Sequence, residues 1–168
     1  IKFLVLLSFF MSLKESARVG DLEALHDRIE RGDDVDGRDE LGWTPLTCAC
    51  IFGHHECARA LIDAGAALDM VDNEGSTALM DACISGHHEC AQALINAGAA
   101  VDTVDNDGKT ALMDACESGH HECAQALIVA GAAVDVVDTD GYTALMRLGS
   151  SRMRASFDRC GRSGGHGE

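Results

Sequence analysis

Residues 72–104 read DNEGSTALMDACISGHHECAQALINAGAAVDTV, and residues 105–137 repeat this pattern with few changes. The glycine at position 86 belongs to a series that recurs at a constant interval along the chain, and four further series keep the same interval. Constant spacing of this kind is typical of proteins in which one structural unit is copied and stacked. The five series are Gly20, Gly53, Gly86 and Gly119; Gly32, Gly65, Gly98 and Gly131; Asp39, Asp72, Asp105 and Asp138; Gly42, Gly75, Gly108 and Gly141; and Thr44, Thr77, Thr110 and Thr143.

The residues of one unit predict a turn followed by two helices. Asp72 can fold its carboxylate onto its own backbone, and Gly75 can adopt a positive φ, so the unit begins with a turn. Thr77 is a suitable N-cap for a first helix, which we expect to end at Gly86. In residues 88–95 the apolar side chains recur at helical spacing, which predicts a second helix.

Three stretches of this unit resemble the ankyrin repeat. They are Gly-x-Thr-Ala-Leu, Ala-Cys-x-x-Gly-His-x-Glu and Ala-Leu-Ile-x-Ala-Gly-Ala-x-Val-Asp, and the resemblance covers about four-fifths of the chain. It implies an all-α fold, a solenoid of stacked helix-turn-helix units with β-hairpin-like loops. The chain departs from the family pattern at Thr47, Met80 and Met113, where the family usually has histidine.

The repeat interval also predicts how the chain is divided. A solenoid of roughly four to five units needs no central globular core, since each unit packs only on its neighbours. We expect a more polar N-terminal capping repeat, three full repeats and one partial repeat. Their predicted bounds are 12–38, 39–71, 72–104, 105–137 and 138–149.

Both ends of the chain depart from the repeat. Residues 1–11 are apolar apart from Lys2 and Ser8, which suits the core of a signal peptide but not a membrane span of about 20 residues. We expect Met11 to be the natural start and the residues before it to be extraneous, with a secretion or membrane signal as the alternative. Residues 150–168 are rich in Arg, Gly and Ser, which predicts a disordered basic tail.

The charge of the repeats is strongly negative. Between Asp39 and Val137 there are sixteen Asp or Glu residues, against Arg59 and Lys109 as the only Lys or Arg. Because phosphate binding relies on clustered Lys and Arg, we expect no nucleic-acid partner. The acidic side chains form either a solvated surface or a docking face for a basic protein.

Cysteine and histidine recur at a spacing that zinc could use. Cys50-x3-His54-His55-x-Cys57 returns in the next two units, and thiolate and imidazole are both zinc ligands. The resemblance instead places these cysteines at small apolar core positions, where free Cys packs as a small hydrophobe. We therefore expect no metal and no cofactor. We also expect the first histidine to bond within its own loop.

Disulfides are not expected between neighbouring units. Cysteines one repeat apart lie on helices about 8–10 Å apart, which exceeds the Cα separation that a disulfide spans. Reduced thiols predict a cytoplasmic or nuclear location.

The sequence contains no motif that predicts catalysis. Phosphate loops, nucleophile elbows and Ser-His-Asp sets unexplained by the repeat are absent from it, so we expect no enzyme activity. The resemblance implies a protein-binding scaffold whose partner docks on the hairpin tips and the exposed, concave side of the first helices. The candidate partner-binding residues are Glu40, Leu41, Trp43, Ile51, Phe52, Asn73, Glu74, Ser76, Asp81, Ile84, Ser85, Asn106, Asp107, Lys109, Asp114, Glu117 and Ser118.

The first full unit carries apolar residues where the later units are largely polar. Leu41, Trp43, Ile51 and Phe52 either cover the junction with the polar capping repeat or form a hot spot for a partner. We expect a monomeric chain that binds another protein with a basic surface and does not bind a membrane. The alternative function is an adaptor or regulatory fragment of a larger enzyme or membrane protein, and a structural spacer is a third hypothesis.

Overall fold

The structure is a computed structural model, and it describes residues 11–148. Residues 1–10 and 149–168, which include the predicted tail, lie outside this range. Residues 144–148 form a short helical turn at the end of the described range. The helices are α1 Leu13–Val19, α2 Leu22–Glu30, α3 Pro45–Ile51, α4 His55–Asp63, α5 Ala78–Ser85, α6 His88–Ala97, α7 Ala111–Ser118 and α8 His121–Val129.

The helices stack in two rows. Helices α1, α3, α5 and α7 pack in sequence to form one row, and α2, α4, α6 and α8 form the other. Isolated antiparallel bridges join Val71 to Thr77 and Val104 to Thr110, so the connecting loops resemble short hairpins. The predicted all-α solenoid of helix-turn-helix units is confirmed.

Threonine side chains begin the helices of the first row, as predicted. The hydroxyls of Thr44, Thr77 and Thr110 accept hydrogen bonds from backbone N–H groups in the first turn of their helices, at 3.1, 3.3 and 3.4 Å. Each bond satisfies an amide that has no partner within its helix. Helix α5 ends at Gly86 and α6 ends at Gly98, both with positive φ.

The turn before each first-row helix is closed by an aspartate. The Oδ1 atom of Asp72 accepts from the amides of Glu74 and Ser76, both at 2.9 Å. The predicted folding of this carboxylate onto its own backbone is therefore confirmed. Asp105 and Asp138 make the same pair of bonds in the next two turns.

The core is a thin layer between the two rows. Leu13, Leu46, Leu79 and Leu112 take the same place in successive units, and each is at most 3% exposed. Burying a leucine side chain contributes roughly 1.5–3 kcal/mol. A single repeated leucine thus ties every first-row helix to its neighbours.

The cysteines belong to this core, with thiols paired across units. The thiol of Cys50 on α3 interacts with that of Cys90 on α6, and this interaction together with burial raises the pKa of the Cys50 thiol. The Sγ of Cys90 also donates to the carbonyl oxygen of Ala49 at 4.0 Å. Cys83 and Cys123 form the equivalent pair. The prediction from sequence considered only cysteines one repeat apart. It did not include these pairs, because each pair joins a first-row helix to the second-row helix of the next unit. All seven cysteines within residues 11–148 are free thiols.

In two of the loops the first histidine links neighbouring units. The Nε2 atom of His54 bonds the carbonyl oxygen of Arg18 at 3.1 Å, and His120 bonds that of Ile84 at the same distance. The expected bond within the histidine's own loop is wrong, because the ring reaches back to the first-row helix of the preceding unit. The ring of His120 packs against Gly86, and a Cβ added to Gly86 would lie only 2.5 Å from that ring.

Candidate functional site

The hairpin tips at residues 39–43, 72–76 and 105–109 form a continuous row. The second and third tips, and the turn that begins at Asp138, each donate a backbone N–H to a carbonyl oxygen of the tip before them, so the row has a fixed spacing. We use the name tip face for these tips together with the solvent side of α3, α5 and α7. The joining bonds run from Asn73 to Leu41 at 3.1 Å, from Asn106 to Glu74 at 3.0 Å and from Thr139 to Asp107 at 2.9 Å.

Two asparagine side chains reinforce the row. The Nδ2 of Asn73 donates to the carbonyl oxygen of Glu40 at 2.8 Å, and the Nδ2 of Asn106 donates to that of Asn73 at 3.2 Å. Both side chains are exposed, yet their amide groups are already bonded. These side-chain bonds add to the backbone bonds between the tips, and elements that are preorganised in this way lose little entropy when they bind.

An apolar patch lies at the start of the tip face. Leu41 is 54% exposed and Phe52 is 43% exposed, while the ring of Trp43 is half-buried against the core. The Nε1 of Trp43 donates to Oδ2 of Asp72 at 3.3 Å, so this indole joins the first tip to the second. The guanidinium of Arg18 lies 5.9 Å from the centre of the Phe52 ring. Leu41 and Phe52 supply most of the accessible apolar surface here.

Two aspartates occupy the middle of the tip face, one on α5 and one on α7. Asp114 is only 6% exposed, and Asp81 is half-buried with its Oδ2 atom fully buried. Burial raises the pKa of Asp81 to about 7, with a further contribution from the carboxylates of Asp72, Asp114 and Glu74. Since burial disfavours the charged form of a carboxyl group, both aspartates hold their protons more tightly than an exposed aspartate.

The pKa of Asp114 is also raised to about 7, and burial is again the main cause. The positive charge of Lys109 opposes this rise, while Asp105 and Glu117 add to it. Lys109 itself bonds Glu117, with its Nζ atom 2.9 Å from Oε2. The two carboxyl groups at the centre of the tip face are thus poised to change charge near neutral pH.

Basic residues of the chain bind carboxylates at both ends of the acidic region. The Nζ of Lys14 lies 2.9 Å from Oδ2 of Asp39. At the other end Arg147 bonds Asp138, and its guanidinium lies 4.9 Å from the centre of the Tyr142 ring. These contacts keep the pKa of Asp138 below its ordinary value, because backbone N–H groups and Arg147 outweigh the opposing effect of burial.

Comparison with known sequences identifies the fold family. The family described as ankyrin repeats (3 copies) matches residues 13–105 and 92–152, which is most of the chain. The chain belongs to the ankyrin repeat family. The resemblance noted in the sequence is thereby confirmed.

Curated relatives of this ankyrin repeat chain include the human and mouse proteins named protein phosphatase 1 regulatory subunit 27. Each is 43% identical over 51 residues, which is 30% of this chain and 33% of the relative. The match therefore spans about a third of the length of these relatives. No helix within residues 11–148 is long and apolar enough to cross a membrane.

The ankyrin structure distributes the predicted partner-binding residues over three degrees of burial. Those that stand exposed on the tip face are Glu40, Leu41, Phe52, Asn73, Glu74, Ile84, Asn106, Asp107 and Ser118. Those that are half-buried are Trp43, Ile51, Asp81, Ser85, Lys109 and Glu117. Ser76 and Asp114 are buried.

Sequence reasoning overlooked a second set of aspartates that links the ankyrin units. Asp36, Asp69 and Asp102 each accept a hydrogen bond from a backbone N–H of the next unit, at 2.9, 2.8 and 2.8 Å. The signal was present, because an aspartate follows a Val or Leu at the same place in each unit. Among residues 11–148, no group of three or more His, Cys, Asp or Glu side chains is arranged to hold a metal ion.

Proposed function

We propose that this chain is a non-enzymatic scaffold that binds another protein through the tip face. The observation that carries the proposal is that Leu41 on a bonded tip, and Phe52 and Ile84 near the ends of α3 and α5, are well exposed. Exposed apolar side chains on a rigid surface are the usual anchors of protein interfaces. The family match supports this, since stacked repeats form extended binding surfaces.

The charge of the tip face favours a basic partner. Aspartate and glutamate side chains outnumber lysine and arginine along the second and third tips, and such a field accelerates encounter with a positively charged protein. Apolar anchors would then supply most of the affinity, at about 2 kcal/mol or more for each hot-spot side chain. We propose a monomer in the cytoplasm or nucleus as the form that binds.

A second candidate function is regulation or targeting of an enzyme. The observation that favours it is the similarity to a protein phosphatase 1 regulatory subunit over 51 residues. Under this hypothesis the same tip face would hold either a phosphatase catalytic subunit or the protein brought to it. The chain would then act as an adaptor within a larger assembly.

Partner capture from a cell extract, with each bound protein identified and quantified, tests the proposal. The test variant is Leu41→Ala with Phe52→Ala, and the matched control is Ile128→Ala with Val129→Ala on α8, where both side chains are exposed. Circular dichroism first verifies that both proteins are folded. Specific partners should be lost from the tip-face variant and retained by the control. Equal capture by both variants would contradict the proposal.

The same capture separates the two candidate functions. If a protein phosphatase catalytic subunit is among the partners that the tip-face variant loses, the regulatory function is supported. If the lost partners include no catalytic subunit of any enzyme, the general scaffold is the better description.

A further inference from the structure

Two carboxyl groups in the middle of the tip face lack a bonding partner in the described part of the chain. Asp114 is 6% exposed, and its side chain makes no hydrogen bond or ion pair to another residue within 11–148. The buried Oδ2 atom of Asp81 has no hydrogen-bond partner there either. A buried polar atom without a partner costs free energy, because it has lost its bonds to water and gained none in return. Their position on the face suggests that a ligand supplies the missing donors.

The charged surroundings of these two groups are mainly acidic. The charged groups that raise the pKa of Asp81 are all carboxylates, two on the tip before α5 and one on α7. Asp114 has neighbours of both charges, because a lysine and an arginine lower its pKa while two carboxylates raise it. Thiols of α3 and α5 also lie close to the pair. The titratable groups around the pair are Asp72, Glu74, Asp105, Glu117, Lys109, Arg147, Cys50 and Cys83.

The chain itself shows how this face holds a guanidinium. Arg147 takes the position in the last, partial unit that Asp114 takes in the unit before it. Its guanidinium bonds Asp138 and approaches Glu117 at 3.6 Å. Arginine thus fits the tip face at this repeat position, where its donors meet carboxylates of the tip and of the adjacent helix.

An exposed apolar side chain stands beside the unpartnered pair. Ile84 lies one helical turn after Asp81 on α5, so the two share one side of the helix. Ile84 is 45% exposed, whereas Glu117 takes its place in the next unit. A partner side chain with a charged head and an apolar stem, or an apolar neighbour, would match this combination.

We propose that the tip face between α5 and α7 docks an arginine side chain of the partner protein, with Asp81 and Asp114 as its acceptors and Ile84 as its apolar contact. This inference rests on the proposed function and names the chemistry that the same face recognises. A guanidinium presents several N–H donors in a planar fork, which suits two carboxylates better than the single ammonium of lysine.

Docking of arginine at this place would be coupled to pH. Both aspartates have a pKa of about 7 in the free protein, so in mildly acidic solution they are largely protonated and neutral. A bound guanidinium favours their charged forms and lowers their pKa values. Binding therefore releases protons, and affinity should rise with pH through neutrality, about tenfold for each carboxyl group whose pKa falls by about one unit.

Two short peptides can test the inference directly. The probe is acetyl-Ala-Leu-Arg-Leu-Ala-amide, and its control carries citrulline, a neutral group of the same shape, in place of arginine. Binding to the full chain is followed by NMR titration at pH 5.5, 7 and 8.5. We expect the arginine peptide to bind about tenfold more tightly at pH 8.5, the ratio given by one charge-assisted hydrogen bond, and the preference to shrink at pH 5.5.

Matched variants test whether the two aspartates cause the preference for the arginine peptide over the citrulline peptide. Asp81→Asn with Asp114→Asn should abolish it, while Glu56→Gln with Asp63→Asn on α4 removes the same charge from exposed positions and should retain it. Equal binding of the two peptides to the wild-type chain would overturn the inference, as would a preference that survives in the asparagine variant.

A third variant distinguishes failure of the inference from failure of the proposed function. If both peptides bind equally and Ile84→Ser with Leu41→Ser weakens both, the tip face binds proteins without an arginine site. If these serine changes also have no effect, the tip face is not the binding surface. Removal of residues 150–168 is the last control, because a large gain in arginine-peptide affinity would assign the site to the chain's own tail and overturn docking of a partner arginine.

Discussion

Helices α3 and α5 occupy equivalent places in neighbouring units, yet they differ in chemistry away from the core leucine. Position 48 on α3 is a buried cysteine, and the residues near the helix end are Ile51 and Phe52. The equivalent position on α5 is Asp81, a partly buried carboxyl group with an unbonded oxygen. The buried sides are nearly alike, since Leu46 and Leu79 are each 1% exposed.

This difference shows which parts of the unit the fold constrains. The core leucine, the threonine cap and the glycine at the helix end are needed for stacking, so they recur in unit after unit. The most exposed residues of the tip face, such as Leu41 and Phe52, are largely accessible to solvent, so the stacking constrains them less. Substitutions on the two sides should consequently differ in their effect on stability.

Two leucine-to-alanine substitutions, one in the core and one on the tip face, test this difference. We expect the core substitution to have the largest effect on the free energy of unfolding. Leu112→Ala leaves a cavity between the rows and should lower the free energy of unfolding by about 2–5 kcal/mol. Leu41→Ala removes an exposed side chain and should change it by about 0.5 kcal/mol or less. Urea unfolding of both variants measures the two values. Similar losses would show that the tip leucine is part of the core.

The second prediction concerns the dependence of stability on pH. Asp81 and Asp114 have folded-state pKa values of about 7, above the ordinary value of 3.8, so the folded state binds more protons between these limits. Stability should therefore fall as pH rises from about 4 to 7, and the loss is complete above pH 7. Asp81→Asn with Asp114→Asn should stabilise the protein at pH 8 by about 1–4 kcal/mol, and this gain should diminish towards pH 4.

Denaturation at each pH measures this gain. Glu56→Gln with Asp63→Asn is the control for the loss of two charges, and it should change stability by about 0.5 kcal/mol or less at pH 8. A gain that is the same at pH 4 and pH 8 would mean that the central aspartates are ordinary carboxylates in the folded protein.

The third prediction compares two glycines with positive φ. Gly86 lies under the ring of His120, while a Cβ on Gly98 would meet no atom within 4 Å. Alanine at either position incurs backbone strain, but Gly86→Ala should cost about 1–3 kcal/mol more because the ring must move. Thermal unfolding of the two variants gives the difference. His120→Ala should recover much of the extra loss in a double-mutant cycle, and additive losses would refute the ring contact.

The repeat interval predicted nearly all of the fold but only part of the site. Caps, turns and helix ends follow from residues within one unit, so Thr77, Asp72 and Gly86 could be interpreted from the sequence alone. Contacts between units could not be derived in this way, because the repeat interval does not determine which side chains of neighbouring units face each other. The bond of His54 to the carbonyl of Arg18 and the pairing of the Cys50 and Cys90 thiols are such contacts.

The burial of Asp114 was also beyond sequence reasoning. Position 114 is polar and lies on the exposed side of a first-row helix in the predicted arrangement, which suggested a solvated carboxylate. In the structure only 6% of its surface remains accessible. The same packing leaves Trp43 half-buried against Asp72, which favours a structural role for that indole beside the accessible Leu41 and Phe52.

We conclude that the tip face contains one buried and one half-buried carboxyl group, Asp114 and Asp81, and that both change charge near neutral pH. Carbon-detected NMR of the full chain, with the Cγ resonances of Asp81 and Asp114 followed from pH 3 to pH 9, tests it most directly. We expect midpoints near 7 for both residues. Midpoints near 4, the ordinary value for an exposed aspartate, would contradict it.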